Sequence, residues 1–289
     1  MDKLVLELCK FVAPNKAKIE QLLGQPDYAC VLGTLLMNRM GGVAYYVLRE
    51  CELLSAVNRE FRTSLKSIYD DNVRRAEEFK KNLSDLQKIL IEADFPYALL
   101  KGAKLVDVYP IGLRTSNDID VLVNQDDVGK LTKLLKDSGF RQGYLRGEVF
   151  QPATRQEIIS SKLGRGETVP FVKGALEVDI NFSLSGRSDN GEVVRKMLKN
   201  ARDGWLTDID FTIHLCCHFY KEATGKWWIE RGRDSELYKL CDLYLLDRAA
   251  REPWLATPAG ILERVTELNL GAEYTYAIDK MKEIFYNET

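Results

Sequence analysis

Histidine is scarce in this chain: His214 and His218 are the only two in 289 residues. No G-x-S-x-G elbow accompanies them, so the constellation for Ser-His-Asp hydrolysis is missing. Their i,i+4 spacing on a helix-patterned stretch, with Cys217 adjacent, would put two imidazoles on one face. A closed zinc site needs further ligands, and the glutamate of the zinc-protease motif is lacking, so core or interface histidines are expected, with His214 or Lys239 helping to line a ligand pocket from the helical half. The six cysteines include no C-x-x-C and mostly lie among apolar helical residues, which excludes a disulfide framework and suits reduced thiols. There is no apolar run of about eighteen residues and no signal-peptide centre near the start, so a cytoplasmic chain that does not cross a membrane is expected.

A surplus of one charge is lacking too. The net charge is −2, which does not demand a nucleic-acid partner. Residues 101–200 are the only third of the chain with a positive excess, 16 Lys and Arg against 13 Asp and Glu. Arg141, Arg146, Arg155, Lys162, Arg165 and Lys173 cluster there; most read as a solvated loop, with one or two reaching an anionic ligand.

The chemistry lies in Asp118-Ile119-Asp120-Val121-Leu122-Val123. Strand alternation puts Asp118 and Asp120 on one face and Ile119, Val121 and Val123 on the other. Two neighbouring carboxylates repel unless a divalent cation sits between them, and Mg²⁺ combines one or two carboxylates with substrate phosphates. The pair therefore predicts a metal site with a nucleotide as co-ligand. Upstream, Phe95 to Leu100 is an apolar run ending at Gly102, and Leu105, Val106 and Tyr109 then follow helical spacing. A strand, glycine turn and helix of this kind suit a triphosphate, with Lys101 and Lys104 adding charge. Downstream, Leu176, Val178, Ile180 and Phe182 alternate with Glu177, Asp179 and Asn181. This strand carries acids on its non-core face, and the preceding Lys173-Gly174 predicts a hairpin, with Pro170 implying an edge position.

Residues 1–92 read as a helical lobe with breaks at Pro14-Asn15, Gly24-Gln25-Pro26 and Gly41-Gly42 and a long final helix over about 55–92. Residues 93–188 read as the catalytic core, in which Asn124 is expected to cap a helix over 125–137. Residues 189–289 read as helices again, over 190–200, 207–223, 234–250, 258–269 and 272–286. The fold class is α+β: a small mixed sheet holding the acids, with an N-terminal helical lobe and a C-terminal helical bundle.

Leu100-Lys101-Gly102, Arg114, Asp118-Ile119-Asp120 and Glu177-Val178-Asp179 together resemble the uncharacterised nucleotidyltransferase family of the DNA polymerase beta-type nucleotidyltransferase superfamily. Ile213-His214-Leu215 and Lys239-Leu240-Cys241-Asp242-Leu243 are similar to that family's helical half, so the resemblance covers roughly residues 95 to 250. It implies transfer of a nucleoside monophosphate, first of all AMP from ATP, to a hydroxyl of a small-molecule or peptide acceptor, with pyrophosphate release. Asp118 and Asp120 would hold two Mg²⁺ ions, with Mn²⁺ as a substitute, and Asp179 would ligate the second ion or accept the proton; Glu177 is the alternative third carboxylate. Gly102, Ala103 and Lys104 would cradle the phosphates, with Lys101, Arg114 and Ser116 as secondary contacts. Ala103 stands where the superfamily has glycine or serine, and Asn181 where the closer family often has histidine. Two other readings follow: transfer to a protein or tRNA end, and a catalytically silent nucleotide- or partner-binding module, which Ala103 favours. If the two aspartates only await a cation, Asp118→Asn or Asp120→Asn is expected to leave stability equal or higher.

Overall fold

Strand alternation around the acids produces a single six-stranded mixed sheet. The strands are β1 (Tyr97–Leu99), β2 (Asp118–Val123), β3 (Arg141–Arg146), β4 (Val149–Pro152), β5 (Phe171–Lys173) and β6 (Leu176–Asn181), in the order β1-β2-β6-β5-β3-β4. This is a computed structural model, and it describes residues 2–147, 149–184, 191–234, 236–249 and 258–286. Only β2 and β6 run parallel. Ile119, Val121 and Val123 of β2 join Val178 and Ile180 of β6 in an apolar cluster with Phe79, Leu83, Leu86 and Leu90 of helix Arg59–Leu90 and with Leu131 and Leu135 of helix Val128–Asp137. Leu122 belongs to a second cluster that also holds residues of the N-terminal and C-terminal helices. The acid-bearing face of β2 thus looks toward the helices, and its apolar face is sealed.

The N-terminal segment forms helices Lys3–Cys9, Lys16–Leu22, Tyr28–Met37, Gly41–Glu50 and Arg59–Leu90. Asn58 starts the long helix by accepting from the Phe61 backbone N–H at 2.8 Å. The break expected at Gly41-Gly42 falls immediately before it, over residues 38–40, where Arg39 has φ +57° and Gly41 opens the next helix. The later helices are Glu192–Asn200, Asp208–Thr224, Lys226–Ile229, Leu237–Ala249, Pro258–Leu268 and Gly271–Phe285. No described helix is long and apolar enough to cross a membrane. Of the six free cysteines, five are buried and Cys30 is exposed.

Three local expectations are corrected. Asn124 makes no side-chain cap bond; a 3₁₀ turn over Gln125–Asp127 intervenes, and the Asn124 amide donates to Asp127. β5 is internal, paired with both β6 and β3, because Pro170 lies just before the strand and its carbonyl still accepts from Gly143 N–H at 3.0 Å. The basic stretch read as solvated loop contains β3, β4 and helix Arg155–Arg165, the last begun by a Thr154–Glu157 capping box. β3 hides because the residue it buries is Gly143, which leaves no apolar alternation to read.

Candidate active site

The parallel register sets Asp118 opposite Glu177 and Asp120 opposite Asp179, so four acids share one face of two adjacent strands. Like charges placed directly across a sheet repel. One ligating atom each from Asp118, Asp120 and Asp179 falls within 4.8 Å of the others, the group of His, Cys, Asp and Glu side chains able to hold a metal ion among the described residues. Asp120 is buried and its two companions are half-buried. Burial, and then the Asp120 charge, raise the Asp118 and Asp179 carboxyls above the usual range. Asp179 Oδ1 is buried with no hydrogen-bond partner among the described residues. An orphaned oxygen and an uncompensated acid cluster are what a divalent cation would satisfy, so the site fits one.

A cation of the chain's own partly fills that role. Lys101 Nζ lies 2.8 Å from Asp120 Oδ1; burial opposes its charge, but Asp120 and Asp118 outweigh that and raise its pKa. The same oxygen accepts from Asn181 Nδ2 at 3.0 Å. Lys101 sits at φ +44° and ψ −114°, a positive-φ conformation that a non-glycine residue adopts only when its surroundings hold it there. Gly102 follows for a steric reason: a Cβ there would lie 2.4 Å from Ser116 Oγ. Ala103 is buried in the cluster beneath the sheet.

Two cavities meet at the acids. One, of about 340 Å³, is lined by Arg39, Lys101, Arg114, Ser116, Asp118, Asp120, Glu177, Tyr238, Lys239 and Asp242 among others. The other, of about 420 Å³, is lined by Asp179, Asn181, Ser183, His214, Lys221, Trp227 and others, and shares Lys101, Asp118, Asp120, His218, Glu222 and Trp228 with the first. Gly102, Ala103 and Lys104 line neither cavity; the Lys104 ammonium pairs with Asp208 and lies over the Phe211 ring. Arg114 reaches the first cavity while held by Asp242, Nε at 3.0 Å and Nη2 at 3.2 Å, and Tyr109 donates to the same carboxylate at 2.8 Å. Arg141, Arg146, Arg155, Lys162 and Lys173 line neither cavity, and the Arg165 side chain lies outside the described residues. Arg141 instead covers Phe150, and Lys173 donates to the Ser138 carbonyl.

Helix Asp208–Thr224 supplies His214 and His218 to the second cavity, and helix Leu237–Ala249 supplies Lys239 and Asp242 to the first. Burial, and then Lys101, hold both imidazoles neutral. Lys239 is paired with Glu222 and Glu236. Sequence reasoning did not reach Arg39, Glu222 or Tyr238, which carry no motif and arrive only by tertiary packing.

With this geometry in place, a profile of the uncharacterised nucleotidyltransferase family matches residues 25–286. The chain belongs to that family, and the match takes in much of the N-terminal helical segment as well as the sheet. No curated protein and no solved structure matches the chain. Membership, together with an aspartate triad able to hold metal, supports nucleotidyl transfer in its general form.

Proposed function

We propose that the protein transfers a nucleoside monophosphate, AMP from ATP first of all, to a hydroxyl of a small-molecule or peptide acceptor. The observation that carries this reading is the meeting of two cavities at Asp118, Asp120 and Asp179. In-line displacement at phosphorus needs the leaving group on one side of the reacting centre and the attacking oxygen on the other.

The first cavity suits the triphosphate. Lys101, Arg114 and Arg39 offer cationic groups and Ser116 a hydroxyl donor, while Lys104, engaged with Asp208, does not enter this arrangement. Asp118 and Asp120, with Asp179 as third ligand, would hold Mg²⁺ or Mn²⁺; when bound, such ions neutralise phosphate charge and acidify the attacking hydroxyl. The acceptor oxygen forms a bond to the α-phosphorus, the bond from that phosphorus to the bridging oxygen breaks, and pyrophosphate leaves. Asp179 serves the attacking group either as the third metal ligand or, where it does not ligate, as acceptor of the hydroxyl proton, its Oδ1 being the oxygen without a partner among the described residues.

The test separates donor binding from acceptor activation. Asp179→Ala is expected to bind MgATP within about threefold of wild type yet turn over on the order of 10²–10⁴ more slowly, with Glu177→Ala retaining most of its activity. An inactive Glu177→Ala beside an active Asp179→Ala would shift the third carboxylate by one pleat. A silent nucleotide-binding module is a second reading, favoured by the Lys101 ammonium lying against Asp120 where a cation would sit. Saturable MgATP binding without pyrophosphate release in the presence of acceptors would select it.

A further inference from the structure

His214 is 4% exposed, yet neither ring nitrogen has a hydrogen-bond partner among the described residues. Buried polar atoms are overwhelmingly paired, and an unpaired one carries a desolvation cost. This ring lies on the wall of the cavity of about 420 Å³ that also holds Asp179, so a ligand there can supply the missing bonds. Burial, and then the Lys101 ammonium, pull the imidazole down to about 3, which leaves it one donor and one acceptor at ordinary pH. A hydroxyl, which also donates and accepts, is its complement; an ionised phosphate or carboxylate, which only accepts, is not.

The neighbouring charges agree. Lys221 lies 3.8 Å from Glu167 and Lys101 2.8 Å from Asp120, so both cations on this cavity's wall are matched by acids. Trp227, 48% exposed, and Trp228 add indole surface to the same wall, one face of the Trp227 ring being covered by the Arg231 guanidinium at 4.1 Å and the other left for a ligand. Flat apolar surface beside a few polar groups suits a ring whose C–H face packs while its hydroxyls bond.

We propose that this cavity is the acceptor site and that it takes a polyhydroxylated ring bearing no anionic group, one hydroxyl held by His214, the C–H face against Trp227, and another hydroxyl presented to Asp179. The assignment rests on the nucleotidyl-transfer reading above.

The chain's two histidines make the test direct. Two-bond ¹H–¹⁵N spectra of the untagged protein hold two imidazole systems, and His214→Asn assigns them. Protein saturated with Mg²⁺ and a non-hydrolysable ATP analogue is titrated with methyl α-D-glucoside and myo-inositol, with glucose 6-phosphate as the anionic comparator. The neutral rings are expected to shift the His214 nitrogens saturably, glucose 6-phosphate to bind about tenfold more weakly, and Trp227→Ala to weaken the neutral rings about tenfold while analogue affinity stays within about threefold. Shifts produced by the analogue alone and not by the rings would give this cavity to the donor and overturn the proposal. So would tighter binding of the phosphorylated sugar, or no saturable shift with either ring. Failure of the analogue to bind at all would remove the nucleotidyl-transfer reading beneath it.

Discussion

Lys101 is the residue on which the electrostatics of the site turn. Its ammonium compensates three aspartates, so removing it leaves the acid cluster with only the more distant Arg114 guanidinium to offset it. Lys101→Met should lose roughly 1–3 kcal/mol of stability, and Mg²⁺ or Mn²⁺ should restore more of its melting temperature than they add to wild type. The two aspartates of β2 then behave differently. Asp120→Asn strips Lys101 of its partner and should destabilise by roughly 1–3 kcal/mol, against the expectation from charge repulsion alone that either substitution is neutral or stabilising. Asp118→Asn removes a carboxylate whose pKa burial and Asp120 raise. A carboxyl whose folded pKa exceeds its unfolded value destabilises fully above the raised value, and that cost fades as pH falls toward the ordinary carboxylate range. Asp118→Asn should therefore melt higher than wild type at pH 8 without metal, with the advantage shrinking toward pH 4. Thermal melts across that range check both variants, and a uniform loss in both would mark the pair as structural.

At the scale of elements, alternation alone placed the acids of β2 and β6 on their faces and the strand, turn and helix before them. What it could not supply is register. Asp120 and Asp179 are far apart in sequence, and only the parallel pairing decides that Asp179, and not Glu177, lies opposite Asp120. The glycine turn was legible for its conformational freedom, but its constraint is steric: Ser116 occupies the space a Cβ at Gly102 would need. Gly102→Ala should cost about 1–3 kcal/mol from overpacking, and the double variant Gly102→Ala with Ser116→Gly should recover most of it in chemical denaturation. No recovery would place the strain in the backbone instead. The β3–β4 hairpin escaped detection because glycine and exposed polar residues carry no periodic signal.

Across the molecule, helices from both ends of the chain share one apolar cluster. The loop before β2 is tied to helix Leu237–Ala249 through Arg114, Asp242 and Tyr109. The apolar and helical patterns were legible from sequence; the tie was not, since Arg114 and Asp242 meet only after folding. Burial raises the Asp242 carboxyl even though the Arg114 guanidinium lowers it, so the carboxylate depends on that partner. Arg114→Met should cost about 3–5 kcal/mol by stranding a buried carboxylate, and adding Asp242→Leu should recover part of the stability without recovering MgATP affinity. The central claim, nucleotidyl transfer at the aspartate cluster, is tested most directly by label. The protein is incubated with Mg²⁺, a small-metabolite extract as acceptor pool, and ATP labelled at either the α or the γ phosphate. Label from α-phosphate in a new product, none from γ-phosphate, and loss of that product in Asp118→Asn is the predicted result; label from γ-phosphate in the product would make the enzyme a kinase and contradict the account.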